Sequence, residues 1–293
     1  MNLENILNDL QSGSLQLTQQ VLIYCRARLS EVSPKNLNNH FDVLQGELKN
    51  IVKKHPNNVL MRKFTNNLLL SFKRFMKGEK EPATVIDDLL KKIDQMEEEL
   101  LIDAEKIATF GSRIIAHNNK IMTMGNSSLV KKICESAHEQ RRKFEVFCLL
   151  SYPTGEGADF AEHLLAKGIK VTLLGDNEIG VFVPQMNLII LGATRLCKDA
   201  FINRTGSLPL CLTAQHFNVP VYLAAETSKI LFEKERAFKS VVLEKKEVSH
   251  IKNKNLHREN ILQEKIPIHL THKILCEDGV FEAHEFMKWY LKE

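Results

Sequence analysis

The segment Asn203-Arg204-Thr205-Gly206-Ser207 has the residue types that hold an anion at the start of a helix. Its glycine lets the backbone approach an anion closely, its serine is a helix-capping residue type, and its arginine adds a positive charge. A phosphate group would be held well by such a loop. The same pattern also occurs at ordinary capped turns that carry a surface arginine, so the spacing alone leaves both interpretations open.

Two further segments place small or polar residues directly after apolar runs. Thr123-Met124-Gly125-Asn126-Ser127-Ser128 follows the first run, and Gly192-Ala193-Thr194-Arg195 follows the fourth. Open α/β sheets bind ligands beyond the carboxyl ends of their strands, in the crevice where the strand order reverses. The segments therefore predict a ligand site of that kind. The absence of a Gly-x-Gly-x-x-Gly motif and of a P-loop argues against the usual dinucleotide and nucleoside triphosphate sites.

The cysteines and histidines predict no metal site. The six cysteines include no Cys-x-x-Cys pair, and the eleven histidines include no His-Glu-x-x-His. Most of the cysteines lie within apolar runs, so reduced thiols in a hydrophobic core are expected rather than disulfides or a zinc site. Neither a metal nor a cofactor is predicted.

The elements that must position these loops alternate between strand and helix. The predicted strands are 121–123, 145–150, 170–174, 188–191, 219–224, 240–243 and 273–275, and the predicted helices between them are 127–140, 158–167 and 207–217. This alternation predicts right-handed βαβ crossovers and a parallel sheet. Near-continuous apolar strands such as 188–191 are typical of a sheet covered on both faces. We expect a Rossmann-like α/β domain over residues 117–293.

The first part of the chain has a helical period instead. Apolar residues recur at steps of three and four along 37–52 and 59–75, and a longer pattern runs from 85 to about 114. Pro34 and Pro56 precede the first two stripes, where proline suits a helix start. We expect an N-terminal helical bundle over residues 1–116, so that the whole chain is α/β with two domains.

Composition bounds the partners and the compartment. The 293 residues suffice for two domains, and the 40 basic and 36 acidic residues leave a net charge of only +4. So small an excess does not predict direct nucleic-acid binding. No window approaches the ~18 uninterrupted apolar residues of a membrane helix, and the first residues lack the pattern of a signal peptide. We expect a soluble, cytoplasmic protein without a membrane partner.

Several ordered segments resemble one protein family. Asn203-Arg204-Thr205-Gly206-Ser207, then Ala214 and 218–229, are similar to the pattern Asn-Lys-Ile-Gly-Thr…Ala…Asn-x-Pro-Phe-Tyr-Val-Ala-Ala-Glu-x-x-Lys of the alpha, beta and delta subunits of translation initiation factor 2B. Shorter matches in order are 121–127, 151–157, 192–195 and 276–280. The family also contains methylthioribose-1-phosphate isomerase and ribose-1,5-bisphosphate isomerase. The resemblance implies the same two-domain α/β fold.

The departures from that pattern concern catalysis. The resemblance places the catalytic cysteine of the isomerases at Gly125 and their catalytic aspartate at Thr194. Moving a proton between adjacent carbons needs one group to donate it and one to accept it. Glycine has no side chain, the threonine hydroxyl does not titrate in the useful range, and losing one such group typically costs ~10²–10⁴-fold in rate. We therefore expect a chain without this isomerase chemistry.

Other departures affect the binding of a phosphate. Tyr152 and Leu150 stand at the family's arginine and glutamate, and tyrosine cannot make the charge-assisted fork that arginine gives a phosphate. A residual sugar-phosphate or nucleotide-monophosphate site and a pocket kept only as scaffold both remain open. The candidate ligand-binding residues are Gly125, Asn126, Ser127, Ser128, Thr194, Arg195, Asn203, Arg204, Gly206, Ser207 and Lys229.

The resemblance implies a non-catalytic subunit that acts by assembly. Such subunits form a homodimer or hetero-oligomer through the α/β domain, and their complex binds initiation factor 2 and regulates its guanine-nucleotide exchange. A second hypothesis is a divergent sugar-phosphate isomerase with relocated groups at Cys197 and Asp199, or at Asp176-Asn177-Glu178. A third is a sensor in which a phosphosugar or nucleotide tunes an interaction. The basic stretch 245–265 is expected to be a solvated connection or, alternatively, a partner surface.

Overall fold

The first part of the chain is helical in the computed structural model, which describes residues 2–78, 81–232, 237–243 and 248–291. Its helices are α1 (Leu3–Asn8), α2 (Ser14–Ser30), α3 (Leu37–Lys54), α4 (Val59–Lys77) and α5 (Pro82–Ser112). The helical character expected from the period is confirmed. Pro34 opens a short 3₁₀ turn ahead of α3, and the Asn58 side chain caps α4 by accepting a hydrogen bond from the Met61 N–H at 3.1 Å.

The chain divides into two compact units, Met1–Asp103 and Ala104–Glu293. The boundary between them falls inside α5, whereas the hydrophobic period changes near residue 117. The domain bounds 1–116 and 117–293 follow that change of period and stay a proposal. None of the helices described in residues 2–291 is long and apolar enough to cross a membrane.

The second unit is built on a seven-stranded sheet. Its strands are β1 (Asn119–Met124), β2 (Phe144–Leu149), β3 (Lys170–Leu174), β4 (Leu188–Gly192), β7 (Val221–Ala224), β9 (Lys273–Cys276) and β10 (Gly279–Glu282), in the spatial order β10-β9-β7-β4-β1-β2-β3. All neighbouring pairs are parallel except β9 with β10. The order runs one way from β1 to β3 and the other way from β4, so it reverses between β1 and β4.

Helices alternate with these strands, as the sequence predicts. They are α6 (Ser128–Glu139), α7 (Glu156–Ala166), α8 (Ile179–Phe182), α9 (Ser207–His216) and α10 (Ala283–Leu291). All five residues of β4 are buried, which is the pattern expected for a central strand with both faces covered. The predicted α/β class is confirmed.

One predicted strand is wrong, and a small second sheet was not predicted. Residues 240–243 form no strand: Val242 makes one isolated bridge to Ile261 and is 54% exposed, so its apolar run has no core to join. The second sheet is antiparallel and joins β5 (Arg195–Leu196), β6 (Ala200–Arg204) and β8 (Gln263–Pro267) in that order. Its strands are short or polar, so pairing decides their conformation rather than intrinsic preference.

Candidate functional site

The carboxyl ends of β1 and β4 lie side by side where the strand order reverses. Ile121 pairs with Leu188 in parallel register, which brings the loops 125–128 and 192–195 to the same edge of the sheet. The two loops touch, because a Cβ on Gly192 would lie 2.7 Å from the Cβ of Ser127. We call the region formed by these two loops and the segment Asn203–Ser207 the switch crevice. The structure thus brings together residues that the sequence singled out separately.

The loop after β1 supplies neutral polar groups to the switch crevice. Gly125 has a φ of 85°, a conformation that favours glycine, and its N–H donates a hydrogen bond to Ser151 Oγ at 2.8 Å. Asn126 is buried, and the Ser127 side chain caps α6 by accepting from the Val130 N–H at 3.4 Å. Ser127 and Ser128 are both partly exposed.

Arg204 extends from the end of β6 towards Gly125. A Cβ at position 125 would lie 3.5 Å from Arg204 Cγ and 3.7 Å from Glu156 Oε1. Arg204 Nε forms an ion pair with Glu156 Oε1; the arginine side chain is 13% exposed and the glutamate has no exposed surface. Burial raises the pKa of Glu156, and the Arg204 charge and a hydrogen bond from Thr154 oppose that rise. The arginine charge is therefore matched inside the protein.

The N-terminus of α9 already holds a carboxylate. Glu264 Oε1, on β8, accepts hydrogen bonds from the N–H groups of Gly206 and Leu208, both at 2.8 Å. The prediction that Ser207 caps this helix is wrong: Gly206 takes the N-cap position with a φ of 104°, and the buried Ser207 hydroxyl lies 3.6 Å from Met124 Sδ. A phosphate at the predicted place would compete with Glu264 for the same backbone donors.

The loop after β4 divides into an accessible and a buried part. Thr194 is partly exposed; its N–H donates to Ile202 O at 2.9 Å and its Oγ1 lies 3.4 Å from Gln263 Nε2. Arg195 has no exposed surface, and its Nε donates to Leu231 O at 2.8 Å. Thr194 lines the switch crevice, whereas Arg195 lies within the protein.

Lys229 follows β7, the strand next to β4. Its Nζ forms an ion pair with Glu226 Oε2 at 2.7 Å, and both side chains are almost completely buried. The backbone N–H of Thr227, the residue after Glu226, donates to the two carboxylate oxygens of Glu277 at 3.1 and 3.0 Å. Lys229 is thus held inside the protein by Glu226, and its charge is matched like that of Arg204.

Three carboxylates near these groups were not singled out from the sequence. They are Glu156, Glu226 and Glu264. Two had a signal, since Glu226 stands inside the Ala-Ala-Glu-x-x-Lys segment and Glu156 directly precedes the glycine of 151–157. Glu264 had none, because strand β8 was not predicted.

The groups proposed for a relocated catalytic site do not converge. Cys197 is buried against Ala200, Ile202 and Phe238, whereas the Asp199 side chain is 80% exposed. The other proposed carboxylates bind backbone amides: Asp176 accepts from the N–H groups of Ser151 and Tyr152 at 2.8 and 2.6 Å, and Glu178 accepts from that of Gly175 at 2.8 Å. These are structural roles at turns.

The thiols have the surroundings of core residues. All six cysteines lie within the described residues, outside any disulfide bond, and are buried. Burial raises the pKa of five of them to about 12, namely Cys25, Cys134, Cys148, Cys211 and Cys276. Such thiols stay protonated near neutral pH and are poor nucleophiles. Within the described residues, no group of three or more His, Cys, Asp or Glu side chains is placed to hold a metal ion.

A family model that covers most of the chain identifies its relatives. The model described as the initiation factor 2 subunit family matches residues 13–283. The chain belongs to this family. One relative, a translation initiation factor eIF-2B subunit 2-like protein of Pyrococcus horikoshii, is 31% identical over 154 residues, which is 50% of this chain and 54% of that protein. The chain therefore spans about half the length of this curated relative.

The family includes proteins named as enzymes and proteins named as initiation factors. A ribose 1,5-bisphosphate isomerase of Archaeoglobus fulgidus is 33% identical over 125 residues, 42% of this chain and 40% of that protein. The solved structure of a Pyrococcus horikoshii initiation factor eIF-2B has a TM-score of 0.79 at 22% identity and 97% coverage of both chains. A chain of the tetrameric eIF2B-beta2-delta2 complex of C. thermophilum has a TM-score of 0.69 at 16% identity. The match covers 99% of this chain and 92% of that chain. Both structures share this fold.

Proposed function

We propose that this member of the initiation factor 2 subunit family is a non-catalytic subunit that acts by assembly in the regulation of translation initiation. The observation that carries the proposal is that Arg204 and Glu156 lie beside Gly125, where no thiol is present. A side chain there would meet the aliphatic stem of Arg204 and the carboxylate of Glu156. That carboxylate has no exposed surface and is paired, so a ligand in the switch crevice does not contact it.

The loop 192–195, which follows β4, also offers no side chain that could donate or accept the proton. Thr194 supplies a hydroxyl, which does not exchange protons with a carbon acid near neutral pH. Cys197 and Asp199, the nearest thiol and carboxylate in sequence, have different surroundings: Cys197 is buried in an apolar cluster, whereas the Asp199 side chain is 80% exposed. Two positioned titrating groups beside one ligand site are what the isomerisation requires.

Assembly is the activity that remains for such a chain. Family members form oligomers, as the eIF2B-beta2-delta2 tetramer illustrates. We propose a homodimer or hetero-oligomer through the α/β domain, with initiation factor 2 or related subunits as further partners in the cytoplasm. The switch crevice is retained in this proposal as a candidate small-molecule site, for which the sequence left open a sugar phosphate, a nucleotide monophosphate or a pocket kept only as scaffold.

The assembly proposal is tested on purified protein. The chain would be examined by size-exclusion chromatography with light scattering, alone and after co-expression with every other member of this family encoded in the same genome. We expect a stable dimer or a mixed complex of defined stoichiometry. A chain that stays monomeric alone and with each co-expressed relative would refute the proposal.

A divergent sugar-phosphate isomerase is the alternative function. Its support is the similarity to the ribose 1,5-bisphosphate isomerase of Archaeoglobus fulgidus. Turnover of ribose 1,5-bisphosphate or methylthioribose 1-phosphate by the purified chain, abolished by Cys197→Ser, would favour this alternative. The buried position of Cys197 is the reason that we rank it second.

A further inference from the structure

Residues 241–243 and 248–262, which we call the basic arm, leave the second sheet and return to it. We infer that the basic arm is a docking site for an extended, acidic segment of another protein. It holds that segment through an open backbone edge at Val242 and through the charges of Lys252 and Lys254. The inference goes beyond the assembly proposed above, because it names a separate surface and the chemistry of its partner.

The first step concerns the backbone of the basic arm. Two hydrogen bonds flank the isolated bridge at Val242. The Leu243 N–H donates to Asn260 O at 2.8 Å, and the Leu262 N–H donates to Val241 O at 2.9 Å. In an antiparallel pair of this kind, the N–H and C=O of the bridging residue point away from the partner segment. Those of Val242 therefore form an outward-facing backbone edge.

The other side of the basic arm is fixed to the second sheet. Thr205, directly after β6, donates from its N–H to Leu262 O at 3.1 Å and from its hydroxyl to Ile261 O at 2.7 Å. Asn260 and Leu262 are both 5% exposed, whereas Val242 is 54% exposed. Solvent thus reaches the arm at its Val242 edge, and an open backbone edge is a template for a further strand.

The second step concerns charge. Residues 237–262 contain six basic and three acidic residues, which leaves +3, whereas the net charge of the whole 293-residue chain is +4. Lys252 and Lys254 are exposed, and neither forms an ion pair within the described residues. Glu259, the one acidic residue of the range 248–262, lies 2.5 Å from His257 Nε2. Most of the excess positive charge of the chain is therefore on this segment and favours an acidic partner.

The third step concerns the class of the partner. Val248, Ile251 and Leu256 are exposed between the charged residues, and Ile251 is 64% exposed. Residues 239–262 include no Phe, Tyr or Trp to stack on nucleic-acid bases, and the described residues 248–262 form no helix of the kind that lies on a membrane. Aliphatic side chains beside an open strand edge instead match an extended peptide, whose main chain supplies affinity and whose side chains supply specificity.

The test uses designed peptides as probes. A fluorescein-labelled peptide of about eight residues, alternating Glu and Val, would be titrated with the full chain and followed by fluorescence anisotropy, beside a peptide of alternating Lys and Val. We expect the acidic peptide to bind, its binding to weaken as the salt concentration rises, and the basic peptide to bind at least about tenfold more weakly. No binding of the acidic peptide at millimolar concentration, or equal affinity for both peptides, would overturn the inference.

Two further anionic probes test the other classes of partner. They are a single-stranded oligonucleotide and vesicles that contain phosphatidylserine. Tighter binding of either probe than of the acidic peptide, with loss of that binding in Lys252→Glu, Lys254→Glu, would show that the basic arm recognises that class instead. The inference would then be wrong.

Two variants separate the contribution of the charge from that of the backbone edge. Lys252→Glu, Lys254→Glu reverses two exposed charges and should weaken binding of the acidic peptide at least about tenfold. Val242→Pro removes the outward N–H and leaves both flanking hydrogen bonds in place, because proline is accepted where a strand-edge N–H faces solvent. It should weaken binding about two- to tenfold, the usual contribution of one hydrogen bond.

A matched variant in the helical unit is the control. Lys49→Glu, Lys53→Glu makes the same change of net charge at exposed positions of α3 and should change the affinity by less than about twofold at physiological salt. Equal affinities of this variant and of Lys252→Glu, Lys254→Glu would contradict the assignment to the basic arm. If Val242→Pro does not fold, the two charge variants still decide the inference.

The assembly proposal is tested separately from this inference. Light scattering on Lys252→Glu, Lys254→Glu should show the same oligomeric state as the wild type. A change of oligomeric state in this variant and not in the control would show that the basic arm joins copies of this chain, which overturns the inference. A chain that stays monomeric but binds the acidic peptide through the basic arm refutes only the assembly proposal.

Discussion

Arg204 is ion-paired with Glu156 directly beside the backbone of Gly125. The pair stands next to the position at which the isomerase relatives are expected to carry their cysteine. One partner has no exposed surface and the other is 13% exposed, so the pair belongs to the interior. Where the isomerase chemistry would need a thiol, this chain therefore has a buried ion pair.

Breaking this pair should be costly. Arg204→Met leaves the Glu156 carboxylate buried without its cation, and we expect the free energy of unfolding to fall by about 3–5 kcal/mol. Urea denaturation at neutral pH measures the change. The double variant Arg204→Met, Glu156→Gln removes both charges and should recover much of the loss.

An exposed pair in the same unit provides the control for that prediction. Lys170 is 74% exposed and lies 3.0 Å from Glu145. Lys170→Met should cost no more than about 1 kcal/mol, because solvent screens exposed pairs. A similar small change for Arg204→Met would show that the Arg204–Glu156 pair is not buried as described.

Gly192 should not tolerate a side chain. A Cβ there would lie 2.7 Å from the Ser127 Cβ, so Gly192→Ala must push apart the loops that form the switch crevice. We expect a loss of about 1–3 kcal/mol in the free energy of unfolding, as for other overpacked sites. Gly46→Ala is the control, since that helical glycine has no atom within 4 Å of the added Cβ and the change should stabilise α3 by up to about 1 kcal/mol.

Two outcomes would contradict this account of the loops. Gly192→Ala could be as stable as the wild type, or it could be destabilised equally in the presence of Ser127→Gly. Ser127→Gly removes the two side-chain atoms that the Cβ of Gly192→Ala meets. It should therefore relieve the effect of Gly192→Ala if the contact is the cause.

The raised pKa of Glu156 predicts a specific dependence of stability on pH. Burial raises the pKa above its ordinary value of 4.5, so the folded state holds this proton more tightly than the unfolded state. The contribution of the group favours folding below 4.5 and is lost as the pH rises through the folded pKa. Relative to the wild type, Glu156→Gln should therefore gain stability as the pH rises through that window. A difference that is constant or that falls with pH would refute the raised pKa.

The thiols should be unreactive in the folded protein. Five have their pKa raised to about 12 by burial, and all six are buried. Iodoacetamide at pH slightly above neutral should label the native chain slowly and should label six cysteines after denaturation, as counted by mass spectrometry. Rapid native labelling of Cys197 would instead support the relocated catalytic site.

The sequence predicts those parts of the fold that depend on local pattern. The run Leu188–Gly192 is apolar throughout and becomes the fully buried strand β4, and the helical stripes of the first unit form as expected. Strand β8 has the polar sequence Gln-Glu-Lys-Ile-Pro, and its conformation comes from pairing with β6, which no local pattern encodes. The prediction of strand 240–243 was wrong for the complementary reason: the run is apolar, but it pairs with residue 261 through one isolated bridge only, and Val242 is 54% exposed.

For the candidate site, too, local sequence pattern identified some residues and missed others. Glycines, serines and the arginine at the strand ends could be found because each follows an apolar run. The carboxylates that pair with these groups could not be found in this way. Glu264 is 56 residues from Leu208, and Glu156 lies at the start of α7, far from Arg204 in sequence. Because the charges are matched across the fold, a loop with the composition of a phosphate site can have its donors already bound.

The most direct test of the central claim is an assay of isomerase activity. Purified chain would be incubated with ribose 1,5-bisphosphate and with methylthioribose 1-phosphate, beside an active ribose 1,5-bisphosphate isomerase as positive control, and the ketose products would be quantified by mass spectrometry. The account predicts no product above the uncatalysed level with either substrate. Turnover of either substrate above that level would contradict it, and loss of that turnover in Cys197→Ser would assign the reaction to the relocated site.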